Sequence, residues 1–434
     1  MLAGAATKLK SWFARVGFEG EWYLIVIGAF IGTLTAFGAL GFAFLLHEVE
    51  HFAGEARGNW PIWTLPALPM LGALASGLLV WRFASEAKGH GVPQVMKAII
   101  QRNGRIPLRV GIVKVFASIC TVGSGGSAGT EGPIVQIGAT AGSFVGDRIK
   151  IPPQHLRTLV GCGAAAGIAS IFNAPIAGVL FVLEILLRDF SIRVFSPIVV
   201  ASVFSAATTH AFRGENEAIF FAGDSLAGYQ FTAVELPSYM LLGVVCGLVA
   251  VVFNKMLHAG EDAFAKLSLH AALKPVVGAL CLGAIGLMYI AGLSAAGLET
   301  PGNSPPFFGN GYETIRWLLE PGSYSDNAGI LAPGNVATLL PVLALVVALK
   351  ALATTFTLGS GGSGGVFAPS LFLGAVAGAA VGEALRQLGL LPAEASPAAY
   401  ALVGMAAVVA GSTHAPLTAI LILFELVYKK QFAW

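Results

Sequence analysis

Glu131 is a single carboxylate set in a glycine-rich apolar run, Gly123 to Gly142, GSGGSAGTEGPIVQIGATAG. Gly123, Gly125, Gly126 and Gly129 carry no Cβ, so other groups can come close to the backbone, and Pro133 suits the first turn of a helix. A helix that starts here aims unsatisfied N–H donors and the positive end of its dipole at whatever lies in front of it. The chemistry is that of an anion site with an acid at its mouth.

The run occurs twice. Residues 359–378, GSGGSGGVFAPSLFLGAVAG, align with 123–142 without a gap and share the Gly-Ser-Gly-Gly-Ser stretch, Pro133 with Pro369, and Gly138-Ala139 with Gly374-Ala375. Phe367 stands where the first copy has Glu131. Close approach of membrane helices is the structural alternative for such glycines; it does not call for the shared order of turn, proline and helix. A phosphate-binding loop fits poorly, because neither copy has Lys-Ser/Thr after its last glycine.

Other residues have reactive types at suggestive spacings. His47-Glu48-Val49-Glu50-His51 satisfies H-E-x-x-H, which on a helix puts two imidazoles on one face for zinc with a glutamate as base. An intramembrane zinc metalloprotease through His47, Glu48 and His51 is thus the enzyme alternative. No third ligand stands out, and the equivalent place in the second half reads His258-Ala259-Gly260-Glu261. Charged residues at the watery end of a helix account for the run without metal, so neither enzyme nor metal site is expected. Lys114 and Lys350 each stand nine residues before their glycine turn, placed either to snorkel to an interface or to attract anions.

The elements that must hold these residues belong to a membrane protein. Of 434 residues 56% are hydrophobic and 11% charged, outside the range of soluble domains. Gly and Pro interrupt many apolar segments, which is tolerated at membrane depth only where backbone is buried in protein or lines a wet cavity. Net charge of +2 and the lack of a basic tail give no sign of nucleic acid. Cys120, Cys162, Cys246 and Cys281 lie in apolar runs without CxxC pairing and read as free thiols.

In chain order, residues 1–20 read as a basic amphipathic surface helix (Lys8, Lys10, Arg15) without a cleavage site. Membrane helices follow at about Trp22–Leu46 and Pro66–Phe83, the second returning to a region rich in Lys and Arg (Arg82, Lys88, Lys97, Arg102, Arg105, Arg109). By the positive-inside rule that region and the N-terminus are cytoplasmic. Next come helices at Ile106–Val122 and from the central turn to Val145, a pair over 159–187 broken at Asn173-Ala174-Pro175, and one at Phe195–His210. The plan then repeats: 1–211 is a first repeat, 212–230 a connecting loop and 231–434 a second repeat. Pro69, Gly72, Ala73, Leu74 and Gly77 reappear as Pro275, Gly278, Ala279, Leu280 and Gly283. Gly89-His90-Gly91 reappears as Gly309-Asn310-Gly311, and Ala174-Pro175 with Glu184 as Ala415-Pro416 with Glu425. Repeated halves with helices broken at corresponding places point to a transporter-like fold whose substrate site lies near the midplane.

These motifs resemble those of the CLC family of chloride channels and chloride/proton antiporters over nearly the whole chain. Gly89-His90-Gly91-Val92-Pro93 is similar to the family's GSGIP segment, Gly129-Thr130-Glu131-Gly132-Pro133 to GxEGP, and Gly365-Val366-Phe367-Ala368-Pro369 to GxFxP. The resemblance implies an all-α polytopic fold of two inverted repeats, a homodimer with an anion path in each subunit, and a multi-pass protein of a bacterial inner membrane. It further implies that the three segments bind the anion, that the N–H groups of Val366 and Phe367 face it, and that Glu131 is its gate. Bound chloride ions are the only cofactors expected. A fluoride exporter fits less well, because Pro133 follows Glu131-Gly132 as in chloride-type members.

Three departures stand out. His90 replaces a serine whose hydroxyl touches the anion, and a ring nitrogen could donate in its place. The family's inner proton-accepting glutamate aligns with Ile185, next to Glu184, which leaves Glu184 as the candidate proton acceptor. The chain stops at Trp434, before the family's last two helices and the tyrosine that closes the inner side. With Ile185 unable to take a proton, channel-like chloride conduction is the expectation, and chloride/proton exchange the alternative.

Overall fold

The computed structural model describes residues 22–213, 220, 232–297, 304–324, 336–391 and 395–427. The surface helix expected over 1–20, most of the 212–230 loop and Trp434 lie outside the described residues. In the first half the helices are α1 (Tyr23–Asn59), α2 (Ala67–Phe83), α3 (Val92–Gln101), α4 (Leu108–Ser118), α5 (Glu131–Arg148), α6 (Pro153–Phe172), α7 (Pro175–Phe181) and α8 (Ile192–Arg213). In the second they are α9 (Leu236–Lys266), α10 (Lys274–Ala295), α11 (Tyr312–Leu319), α12 (Val336–Thr354), α13 (Phe367–Gln387), α14 (Pro397–Thr413) and α15 (Pro416–Val427). Eight helices among the described residues are long and apolar enough to cross a membrane. The exposed row Met240, Leu241, Val244, Leu248 and Val251 on α9 marks a lipid-facing side.

The expected first helix ends too early. Past Leu46 only the isolated Gly54, which a helix tolerates at a cost of about 1 kcal/mol, precedes Gly58-Asn59-Trp60-Pro61, so α1 continues through the whole His47–His51 run. The helix expected from Ile106 starts after Pro107 instead. It closes in a single π turn, Ile119–Gly123, and α12 closes in the same way at Thr355–Gly359.

Two inverted repeats pack through matched contacts. Cβ atoms built on Gly138 and Gly163 would fall 2.1 and 1.9 Å from each other's carbonyl oxygens, so α5 and α6 touch backbone to backbone. Gly374 and Gly404 do the same for α13 and α14, at 2.2 and 2.3 Å. Asn173 (φ 50°) and His414 (φ 56°) end α6 and α14 in the left-handed conformation. An Ala-Pro pair then opens α7 and α15.

α7 and α15 cap each other. Ile176 and Ala177 donate their N–H groups to the Glu425 carboxylate at 3.1 and 2.7 Å. In return Leu417 N–H, Thr418 N–H and the Thr418 hydroxyl donate to Glu184 at 3.3, 2.8 and 2.7 Å. Each carboxylate meets the positive end of the opposite helix.

Candidate functional site

The site is assembled from the two glycine turns. Gly125 (φ 106°) and Gly361 (φ 110°) reverse the chain after the π turns, in a region closed to other residues. The N–H of Gly126 then donates to Thr121 O at 2.9 Å, and that of Gly362 to Thr357 O at 3.0 Å. Hydroxyls stitch the two turns together reciprocally. Ser127 N–H donates to Thr357 Oγ1 at 3.1 Å and Ser363 N–H to Thr121 Oγ1 at 3.2 Å. Ser127 Oγ pairs with Thr354 Oγ1, and Ser363 Oγ with Ser118 Oγ.

Backbone then brings the three motif segments together. Gly129 and Gly365 exchange N–H···O bonds of 2.8 and 2.7 Å. Gly89 donates to Gly362 O and accepts from Gly364, both at 3.3 Å. A Cβ on Gly132 would stand 1.8 Å from His90 O, and one on Gly91 2.4 Å from Gly132 O. Pro93, Pro133 and Pro369 each lie in the first turn of their helix, so α3, α5 and α13 all start at this junction.

Glu131 is 4% exposed at the start of α5. Its Oε2 accepts the N–H of Ala368, in the first turn of α13, at 3.3 Å. Its Oε1 accepts the Tyr312 hydroxyl at 2.5 Å. A buried carboxylate thus occupies a helix N-terminus where an anion would be held. Phe367, 6% exposed, begins α13 and lies 6.1 Å from the Phe172 ring.

Neither lysine snorkels. Both are fully buried, and each ties down the segment that precedes a short helix. Lys114 donates to Ala87 O and Gly89 O at 3.1 and 2.5 Å. Lys350 donates to Phe307 O and Gly309 O at 3.2 and 2.9 Å. Backbone carbonyls receive the ammonium protons, and two of them, Gly89 O and Ala87 O, also accept from Gly364 N–H and the Ser363 hydroxyl.

A cavity of about 670 Å³ leads toward Tyr312 between α1 and α11, lined by His47, Glu50, Arg57, Asn310, Glu313 and Arg316 among others. A second, of about 470 Å³, reaches Pro93 past Glu86, Lys97, Arg102, Arg105 and Gln136. A short turn joins the C-terminal end of α1 to the start of α2, so the two cavities open on opposite faces of the membrane.

The sequence matches the voltage gated chloride channel family over residues 72–433. A putative chloride channel protein ClcB-like from Ralstonia nicotianae is 32% identical, across 94% of this chain and 90% of the relative. The chain belongs to the CLC family. An H(+)/Cl(-) exchange transporter ClcA from Vibrio parahaemolyticus is 29% identical, across 93% of this CLC chain and 82% of its own length. The crystal structure of a slow cyanobacterial Cl-/H+ antiporter superposes with a TM-score of 0.76 at 27% identity, covering 93% of this chain and 89% of that one. A CLC-type fluoride/proton antiporter shares the fold, with a TM-score of 0.73 at 22% identity over 94% and 92% of the two chains.

Against this CLC frame, His90 has its backbone at the junction, while its imidazole Nε2 lies 3.0 Å from Glu261 Oε1 on α9. Ile185 and Glu184 are half-buried, and the Glu184 carboxylate is the α15 cap described above. Of the His47–His51 run, His47 lines the larger cavity and His51 lies 3.8 Å from Glu55, and no group of three metal-binding side chains is gathered among the described residues. Sequence reasoning missed Tyr312 and Glu261. The register that pairs Gly309-Asn310-Gly311 with Gly89-His90-Gly91 puts Tyr312 opposite Val92, and that was the available signal for it.

Proposed function

We propose that this protein exchanges chloride for protons across a bacterial inner membrane, as a homodimer with an anion path in each subunit and Glu131 as the gate of that path. The observation that carries the reading is the Glu131 carboxylate at the first turn of α13, bonded to Ala368 N–H. An anion and this carboxylate compete for one set of donors, so a proton on Glu131 frees the place for chloride. Gly89–Pro93, Gly129–Pro133 and Gly365–Pro369 are the proposed anion-lining backbone, with Val366 and Phe367 contributing N–H groups. The N-terminus lies in the cytoplasm, with 1–211 and 231–434 as the two repeats around the 212–230 loop.

Exchange is preferred to the channel-like conduction expected from Ile185, because similar proteins along most of the chain are named or described as Cl-/H+ exchangers. Glu184 is the proposed inner proton acceptor. Uncoupled conduction is the second reading, favoured by the commitment of Glu184 to the α15 N-terminus, by Ile185, which takes no proton, and by the chloride channel name of the ClcB-like relative.

Chloride efflux and proton uptake in vesicles, for wild type and Glu131→Gln, test the gate. Glu131→Gln is expected to keep chloride flux and lose both its acid dependence and coupled proton uptake. Unchanged acid dependence in the variant would remove Glu131 from the path.

A further inference from the structure

Tyr312 belongs to neither the motifs nor the proposed ion path, yet its hydroxyl is the shortest polar contact of Glu131 in this structure. Its position is fixed from several sides. Asn310 Oδ1 accepts the Tyr312 N–H at 3.0 Å, opening α11. Gly311 (φ 83°) packs so tightly that a Cβ there would fall 2.4 Å from the Phe372 ring. Phe220 stands edge-on to the Tyr312 ring at 5.3 Å, and its own N–H donates to Leu426 O. Lys350 pins the preceding turn through Phe307 O and Gly309 O. Two more charged groups act on the pair from other elements, Lys350 of α12 on Glu131 and Glu50 of α1 on Tyr312. Arg57 and Glu313 line the cavity in front.

From this geometry we infer that Tyr312 is a latch that holds Glu131 in the anion's place and must release it before an anion passes from the 670 Å³ cavity. The inference rests on Glu131 being the gate. Repeat symmetry supplies the reason for the location: Gly309–Tyr312 is the second-half copy of Gly89–Val92, and each segment is clamped by its own buried lysine. The first-half copy carries Val92, which has no donor, so the latch exists on one side of the membrane only. A phenolic O–H donates to a carboxylate while it is charged, so the bond favours the seated, ionised gate over the protonated, mobile one. Tyr312 thus acts through Glu131, as a positioning residue.

Tyr312→Phe keeps the ring, the Phe220 contact and the helix start while removing the donor. Chloride flux of wild type, Tyr312→Phe, Glu131→Gln and the double variant is measured in vesicles against pH on the cavity side, each protein first checked as a monodisperse dimer in detergent. Losing one charge-assisted hydrogen bond is expected to move the acid midpoint of flux to higher pH by about one unit, and to raise flux at neutral pH by about ten-fold. The double variant is expected to match Glu131→Gln. A Tyr312→Phe profile that superimposes on wild type, beside a flat Glu131→Gln profile, overturns the latch and leaves the gate standing. A further change on adding Tyr312→Phe to Glu131→Gln also overturns it, because the hydroxyl would then act on something else. Persistent acid dependence in Glu131→Gln would defeat the gate and the latch together.

Discussion

A methyl group at position 129 would stand 2.0 Å from Glu131 Oε2 and 2.9 Å from the Ala368 Cβ. The first neighbour is the free end of a side chain, so it is the carboxylate that gives way, and Gly129 has no positive φ to forbid alanine. Gly129→Ala is therefore expected to fold, to conduct chloride faster at neutral pH, and to lose most of its acid dependence, measured as vesicle flux against pH. Slower flux with intact acid dependence would mean that the carboxylate is not the obstacle. At this scale the place of Glu131, at the start of a buried helix and against the second glycine turn, was legible from its glycines and the helix-starting Pro133. The lysines were legible as a pair and not by role: only the fold reveals the carbonyls of Ala87, Gly89, Phe307 and Gly309 around their ammonium groups. The imidazole of His90 was expected at the anion and is found beside Glu261, on a helix 171 residues away in the chain.

The helix pair α7 and α15 carries a prediction that separates structure from transport. Glu425→Gln leaves one backbone donor of α7 facing an amide N–H and removes the charge that answers the helix dipole, a cost of roughly 1–2 kcal/mol. A lower thermal midpoint in detergent with unchanged proton-to-chloride coupling is expected. Glu184→Gln loses the same cap on α15 and is expected to destabilise comparably, but also to abolish coupled proton uptake. Coupling that survives in Glu184→Gln would leave that carboxylate a cap and nothing more. The sequence marked both glutamates as repeat partners, and the break at Asn173-Ala174-Pro175 was readable from the proline, while the left-handed conformation of Asn173 is known only from the fold. Their mutual capping was not readable, since each bond spans more than 230 residues and exists only because the halves are inverted. The end of α1 lies beyond the expected Leu46 for a local reason: charged side chains do not stop a helix, whereas the backbone chemistry of Gly58 and Pro61 does.

Across the whole molecule, the matched glycine contacts, lysine clamps, hydroxyl stitches and helix caps are one construction used twice, which is why motifs repeated in the same order revealed the fold class so directly. The parts that break the symmetry are the ones the proposed transport uses: Glu131 against Phe367, Val92 against Tyr312, and two cavities on opposite faces that approach one backbone junction. A cavity on each face, with the buried Glu131 carboxylate at the junction they approach, suits the proposed alternate occupation by anion and proton. Repetition made the scaffold legible, while the coupling depends on single residues that repetition says nothing about. The most direct test is the reversal potential of the purified protein in planar bilayers, with the chloride gradient fixed and the pH gradient varied. Exchange predicts that the reversal potential moves with the pH gradient in wild type and ceases to do so in Glu131→Gln; a reversal potential that follows chloride alone in wild type would contradict the account.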